Sequence, residues 1–181
     1  MLNLKLGTNI PITSPGDSYY SEYASNYVDY RAFFALQLEL GLALTPSHRL
    51  YLVMPLEILD GNKTGIQHED EHISAVYTKI IVPIGIQYDV PISSIPGLYF
   101  YPRLSVGYAE LIINANENRL PLNFNTHMVV ISPDLGIKYI LYKRVNFGLE
   151  PIGISIFIAR DNYNWPVNVD YRIRGYFGIN L

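Results

Sequence analysis

The feature that most constrains this chain is an alternation of apolar and polar residues that returns eight times, mostly in runs too long for ordinary globular strands. Period two sends successive side chains to opposite faces of an extended backbone. In "NVDYRIRGYFGINL", residues 168–181, one face carries Val169, Tyr171, Ile173, Phe177, Ile179 and Leu181, and the other carries Asp170, Arg172 and Arg174. Residues 30–44 set Tyr30, Phe34, Leu36, Leu38, Leu40, Leu42 and Leu44 against Arg31, Gln37, Glu39 and Gly41. Further runs begin at Leu2 and cover about 48–58, 73–90, 98–112, 127–142 and 144–158. In 144–158 the phase slips at Pro151, from Val145, Phe147 and Leu149 to Ile152, Ile154, Ile156 and Ile158, as a β-bulge would produce.

The links alternate as regularly as the faces. Long segments 13–29, 59–72, 113–126 and 159–167 interleave with short ones at 45–48, 91–97 and 142–144. That order describes an even-stranded up-and-down meander in a single domain, 1–181, with both termini on the short-link side. Two closed barrels fit it: a membrane barrel, apolar outside, and a soluble lipocalin-like carrier, apolar inside. No apolar run reaches the roughly 18–20 residues of a spanning helix, so a membrane would be crossed by strands. Three features favour the membrane barrel. Most of the strands run about 11–16 residues, enough to cross a bilayer at a tilt, for which roughly 9–11 suffice. Glycines recur on the polar face (Gly7, Gly41, Gly85, Gly107, Gly136, Gly148, Gly178), as a crowded interior needs. Aromatic residues gather near strand ends (Tyr30, Tyr88, Phe100, Tyr139, Tyr142, Tyr171, Phe177), as at lipid headgroups. The expected fold is all-β: an eight-stranded antiparallel up-and-down transmembrane β-barrel.

With this strand count, link asymmetry and last strand, the chain resembles the eight-stranded bacterial outer-membrane barrels, the OmpA transmembrane domain and OmpX type. Tyr171, Ile173, Phe177, Ile179 and Leu181 match the spacing of that family's terminal strand, with Leu181 where the family usually ends in Phe. The resemblance implies a monomer in the lipid bilayer of a bacterial outer membrane, its last strand closing on its first. The start "MLNLKLGTNI" lacks a basic n-region and an apolar core, so an exported chain would have lost its signal peptide.

Turned inward, the polar face holds Lys5, Arg31, Lys79, Arg103, Lys138, Arg172 and Arg174 against Glu39, Glu57, Asp89, Asp134, Glu150 and Asp170. Buried charges persist when paired, so this near-balanced set reads as a salt-bridge network filling the lumen. Arg172 and Arg174 are expected to take Glu150, Glu57 or Asp134. The alternative is a narrow ion or small-solute pore. Pro55, Pro83, Pro102, Pro133 and Pro151 fall within strands, where bulges or waters are expected.

Other chemistry is thinly represented. The chain has no cysteine, and a net charge of -3 offers no footprint for nucleic acid. His127, Ser132 and Asp134 share a strand, but His127 lies on the opposite face from the other two, so no enzyme is expected. No cofactor is expected either. His68, Asp70 and His72 in "HEDEH" are weak metal candidates, and a solvated acidic loop is the favoured reading. Tyr19, Tyr20, Tyr23 and Tyr27 among Ser, Asn and Gly in 13–29, and Trp165 in the last long link, are candidates for surface contact. The functional expectation is surface interaction, with lipopolysaccharide or a cell-surface ligand, or envelope integrity.

Overall fold

Strands that cannot leave backbone groups unpaired in hydrocarbon must close into a barrel, and these do. A computed structural model describes residues 1–12, 33–47, 49–68, 71–115, 122–159 and 167–180. Its strands are β1 (Leu2–Pro11), β2 (Phe33–Ala43), β3 (Leu50–His68), β4 (Glu71–Tyr88), β5 (Leu98–Ala115), β6 (Leu122–Leu141), β7 (Val145–Ala159) and β8 (Val167–Ile179). A two-residue continuation of β4, Val90–Pro91, pairs with Phe100 and Tyr99 of β5. Each strand is antiparallel to its sequence neighbours, and β1 also pairs with β8, from Leu2↔Ile179 to Pro11↔Asp170. The barrel is closed.

The pleat sorts the residues by parity. Leu38, Leu104 and Ile84 are 46%, 59% and 48% exposed, whereas Lys5 and Arg174 are 1% exposed. The apolar face is therefore outside, which overturns the lipocalin-like alternative. On β5 the outward row runs from Phe100 to Tyr108, about 26 Å along the strand at ~3.3 Å per residue, which at a tilt of about 40° rises roughly 20 Å through the apolar band. Tyr88, Phe100, Tyr139, Phe147 and Phe177 project outward near the short links, the girdle expected there. Tyr30 lies outside the described residues. Opposite, Asp60, Glu110 and His127 end the apolar rows, and the Tyr108 hydroxyl hydrogen-bonds His127 Nδ1.

The short links form turns as expected, and two long ones shrink. Strands β3 and β4 run past the predicted boundary at 59–72 and pair as far as His68↔Glu71, leaving only 69–70 between them. Similarly, β5 and β6 pair to Ala115↔Leu122, so 113–126 reduces to 116–121. In both hairpins backbone pairing continues where hydrophobic alternation stops. The phase slip in β7 is a bulge: the β7–β8 register shifts between Glu150 and Gly153, with Pro151 inside it. The last strand ends at Ile179, and Asn180 N–H donates to Arg144 O at 2.6 Å. Leu181 lies outside the described residues.

Facing predicts the cost of misplaced charge. Leu38→Arg, at mid-band, should destabilise the barrel in vesicles by about 2–4 kcal/mol, and Leu44→Arg, by the short link, by about 0–1 kcal/mol. Urea unfolding followed by the unboiled-gel mobility shift measures both; equal small losses would mean that this face meets water.

Candidate functional site

Inward parity on every strand concentrates charge in a bore just wide enough for side chains. Among the described residues the buried lumenal cations are Lys5, Lys79, Arg103, Lys138, Arg172 and Arg174, and the buried carboxylates are Glu39, Glu57, Asp89, Asp134, Glu150 and Asp170. The charges cancel. Arg31, the seventh cation of the sequence-based set, lies outside the described residues.

The central group is one connected circuit. Lys5 Nζ lies 2.8 Å from Glu39 Oε2 and also bonds Glu150. Arg103 bonds Glu39, donates from Nε to Asp134 Oδ2 at 2.8 Å, and reaches Glu150 Oε1 at 3.2 Å. Asp134 also accepts from Arg172, which approaches Glu57 Oε2 at 3.7 Å. Glu57 bonds Arg174, whose Nη1 donates to Gln37 Oε1 at 2.6 Å, and Gln37 Nε2 donates to Glu39 Oε2 at 3.2 Å. Seven of the eight strands contribute to this ring. Two further pairs flank it: Lys138 with Asp89 towards the short links, and Lys79 with Asp170 at 2.8 Å towards the long ones.

Every charged residue predicted for the lumen and described in the structure is buried there. Arg172 and Arg174 take Asp134 and Glu57 as expected; Glu150 instead serves Lys5 and Arg103. Parity also brings in residues that sequence reasoning left unassigned. The Tyr101 hydroxyl donates to Glu150 Oε1 at 2.9 Å, and Asn3 Nδ2 donates to Glu39 Oε1 at 2.8 Å. Tyr101 shares its odd-numbered face with Arg103, so alternation alone would have found it. Two glycines make room for aromatic rings: a Cβ on Gly136 would lie 2.3 Å from Tyr101 Cζ, and one on Gly148 2.1 Å from Tyr176 Cζ. This bears out the crowded-interior reading of the glycines.

The lumen is not polar throughout. Towards the long links it holds Leu59, Ile81, Leu111, Met128, Val130 and Phe157, all buried. Lys79 Nζ sits 4.1 Å from the Phe157 ring centroid, a cation–π contact between the charged and apolar layers. The uniformly polar interior expected from sequence is corrected: on these strands both faces are apolar near the long-link end.

Other candidates separate as follows. His127 is exposed and Ser132 and Asp134 are buried, so the three do not converge. His68 ends β3, and His72 lies on β4 opposite Gln67, so neither is in the predicted loop; Asp70 is outside the described residues. No group of three or more potential metal ligands occurs among the described residues. Tyr19, Tyr20, Tyr23, Tyr27 and Trp165 lie outside the described residues.

Known proteins place the fold. No family model and no curated protein matches this chain. Among solved structures, the chain is similar to Neisserial surface protein A, with TM-score 0.58 and 9% identity over 98% of this chain and 96% of that one. The attachment invasion locus protein Ail of Yersinia pestis gives 0.55 and 8%, over 99% and 97%. A major outer membrane protein of Thermus thermophilus gives 0.57 and 8%, over 99% of each chain. The fold is that of the eight-stranded outer-membrane barrels.

The circuit predicts its own weak point. Arg103→Met leaves Glu39, Asp134 and Glu150 short of a buried cation and should cost about 3–5 kcal/mol. Arg49→Ala, at the exposed short link, should stay within about 0.5 kcal/mol, and Arg103→Lys should recover only part of the loss because an ammonium lacks the planar fork. Urea midpoints in vesicles check all three.

Proposed function

We propose that this chain is a non-enzymatic anchor of the bacterial outer membrane, exported with loss of a signal peptide, that presents its long links to partners outside the cell. The observation that carries this reading is the filled lumen. A ring of ion pairs fills the bore, and apolar side chains pack beside the Lys79–Asp170 pair towards the long links, which leaves little room for a solute. Such a barrel serves as a rigid platform, and recognition falls to the segments above it. The narrow-pore alternative would require both layers to open together.

The long links disfavour one class of partner. Across 13–29, 59–72, 113–126 and 159–167 there are nine acidic residues (Asp17, Glu22, Asp29, Asp60, Glu69, Asp70, Glu71, Glu117 and Asp161) against Lys63, Arg119 and Arg160. A polyanion would meet repulsion there. Ail, which shares the fold, has been crystallised with the heparin analogue sucrose octasulfate; the acidic links of this chain point instead to a neutral carbohydrate or a protein surface. Lipopolysaccharide would need bridging cations. Tyr19, Tyr20, Tyr23 and Tyr27, interleaved with Ser and Asn, supply rigid amphipathic contacts suited to such partners.

Two measurements test this. Planar-bilayer recordings of the refolded chain should show no conductance steps; steps altered by Arg172→Ala or Arg174→Ala would establish the pore instead. Replacing Tyr19, Tyr20, Tyr23 and Tyr27 together by Ser should lower binding to glycan or matrix-protein arrays by at least about tenfold, the equivalent of ~1.4 kcal/mol, without changing the heat-dependent gel shift.

A further inference from the structure

The wall of the barrel is interrupted in mid-membrane between β3 and β4. In the β3–β4 ladder, Asp89 N–H donates to Arg49 O at 2.7 Å, and antiparallel pairs exchange hydrogen bonds at every second position. Counting along the register, the exchanging pairs are Tyr51/Gln87, Val53/Gly85, Pro55/Pro83 and Glu57/Ile81. Pairing is present at Val53↔Gly85 and at Glu57↔Ile81 and absent between them. Two prolines stand opposite each other at a position where each should donate. Neither has an N–H, so the Pro55 and Pro83 carbonyls both lose their ladder partner. The register does not shift across the gap, so of the bulges or waters expected at the mid-strand prolines a bulge is absent here, and the gap is a missing pair of bonds.

Depth and access narrow what can replace those donors. Pro55 lies midway between Leu50 and Asp60, and Pro83 midway between Thr78 and Tyr88, so the gap sits at the centre of the apolar band. Both prolines are buried on the lumenal face. From outside it is open: a groove of about 420 Å³ is lined by Met54, Leu56, Val82, Ile84 and Val106 with Pro55, Pro83 and Gly107. Gly107 allows the close approach of β5, since a Cβ there would lie 2.2 Å from Pro83 Cα.

From this juxtaposition of an apolar groove and two carbonyls without donors we infer a binding site for the acyl chain of a bilayer lipid that carries a hydroxyl in its distal half. The hydrocarbon packs against Met54, Leu56, Val82, Ile84 and Val106. The hydroxyl donates to the carbonyl of Pro55 or Pro83. A hydroxyl close to the headgroup stays near the interface, whereas these carbonyls lie near the midplane. A plain chain fills the groove but leaves both carbonyls unpaired. The site is on the membrane face, and it is independent of the partner proposed for the long links.

The full chain, refolded in bicelles, would be titrated with a phosphatidylcholine bearing a hydroxyl at carbon twelve of a stearoyl chain, and separately with the unsubstituted lipid. Carbonyl carbon shifts of Pro55 and Pro83, and contacts to the Met54 methyl, report occupancy by NMR. The hydroxylated lipid is expected to act at about fivefold lower concentration, the effect of one net hydrogen bond. Pro55→Val with Pro83→Val restores both donors, and should abolish the difference while the gel shift confirms a folded barrel. Equal titration of the two lipids, a preference that survives the double substitution, or a water cross-peak at the gap that persists with the hydroxylated lipid would each overturn the inference.

Discussion

Hydrocarbon offers no hydrogen bonds, and most of what this protein looks like follows from that single constraint. Backbone donors and acceptors must find one another within the wall, at a cost of several kcal/mol for each that does not. Eight strands satisfy the requirement by returning β8 to β1. Closure at that strand number leaves a bore filled by side chains, and the pleat then sends every second residue into it. The polar half of an alternating sequence is thereby forced together where water is scarce. Salt bridges are the consequence of closure, and the glycines opposite Tyr101 and Tyr176 are its steric counterpart.

Charges brought together this way must be balanced over the set and not only pair by pair. Arg103 meets three carboxylates and Glu57 meets two arginines, so no bond in the ring belongs to one pair alone. Removing a member strands its partners in a poorly solvated site, which costs more than the lost contact. Towards the long links Leu59, Ile81, Val130 and Phe157 pack around the Lys79–Asp170 pair, which keeps that end of the bore poorly solvated as well.

Alternation made the fold legible because facing depends only on neighbours in sequence. The outward rows, the slip at Pro151 and the burial of Arg172 and Arg174 could all be counted off the chain. What escaped depends on contacts between strands. The assignment of Glu150 to Lys5 and Arg103 is set by how β7 sits across the bore from β1 and β5, which no local pattern encodes. The ends of β3 and β4 fall within the long link expected at 59–72, where the residues lack apolar alternation. Beyond the membrane neither face need be apolar, so pairing there leaves no periodic signature. The apolar inner layer was missed for the converse reason: where both faces are apolar, alternation fades although the strand continues.

The opposed prolines show how the lumen and the wall depend on each other. Between Pro55 and Pro83 the wall lacks two hydrogen bonds, and strands separated at such a point would be expected to part. They are instead tied to a common partner across the bore. Glu57, two residues from Pro55, bonds Arg174 of β8, and Lys79, four from Pro83, bonds Asp170 of the same strand. The interior ion pairs thus brace from within a stretch of wall that backbone pairing leaves open. A gap at mid-membrane can persist without unzipping the ladder, because β3 and β4 are held by their side chains where their backbones let go.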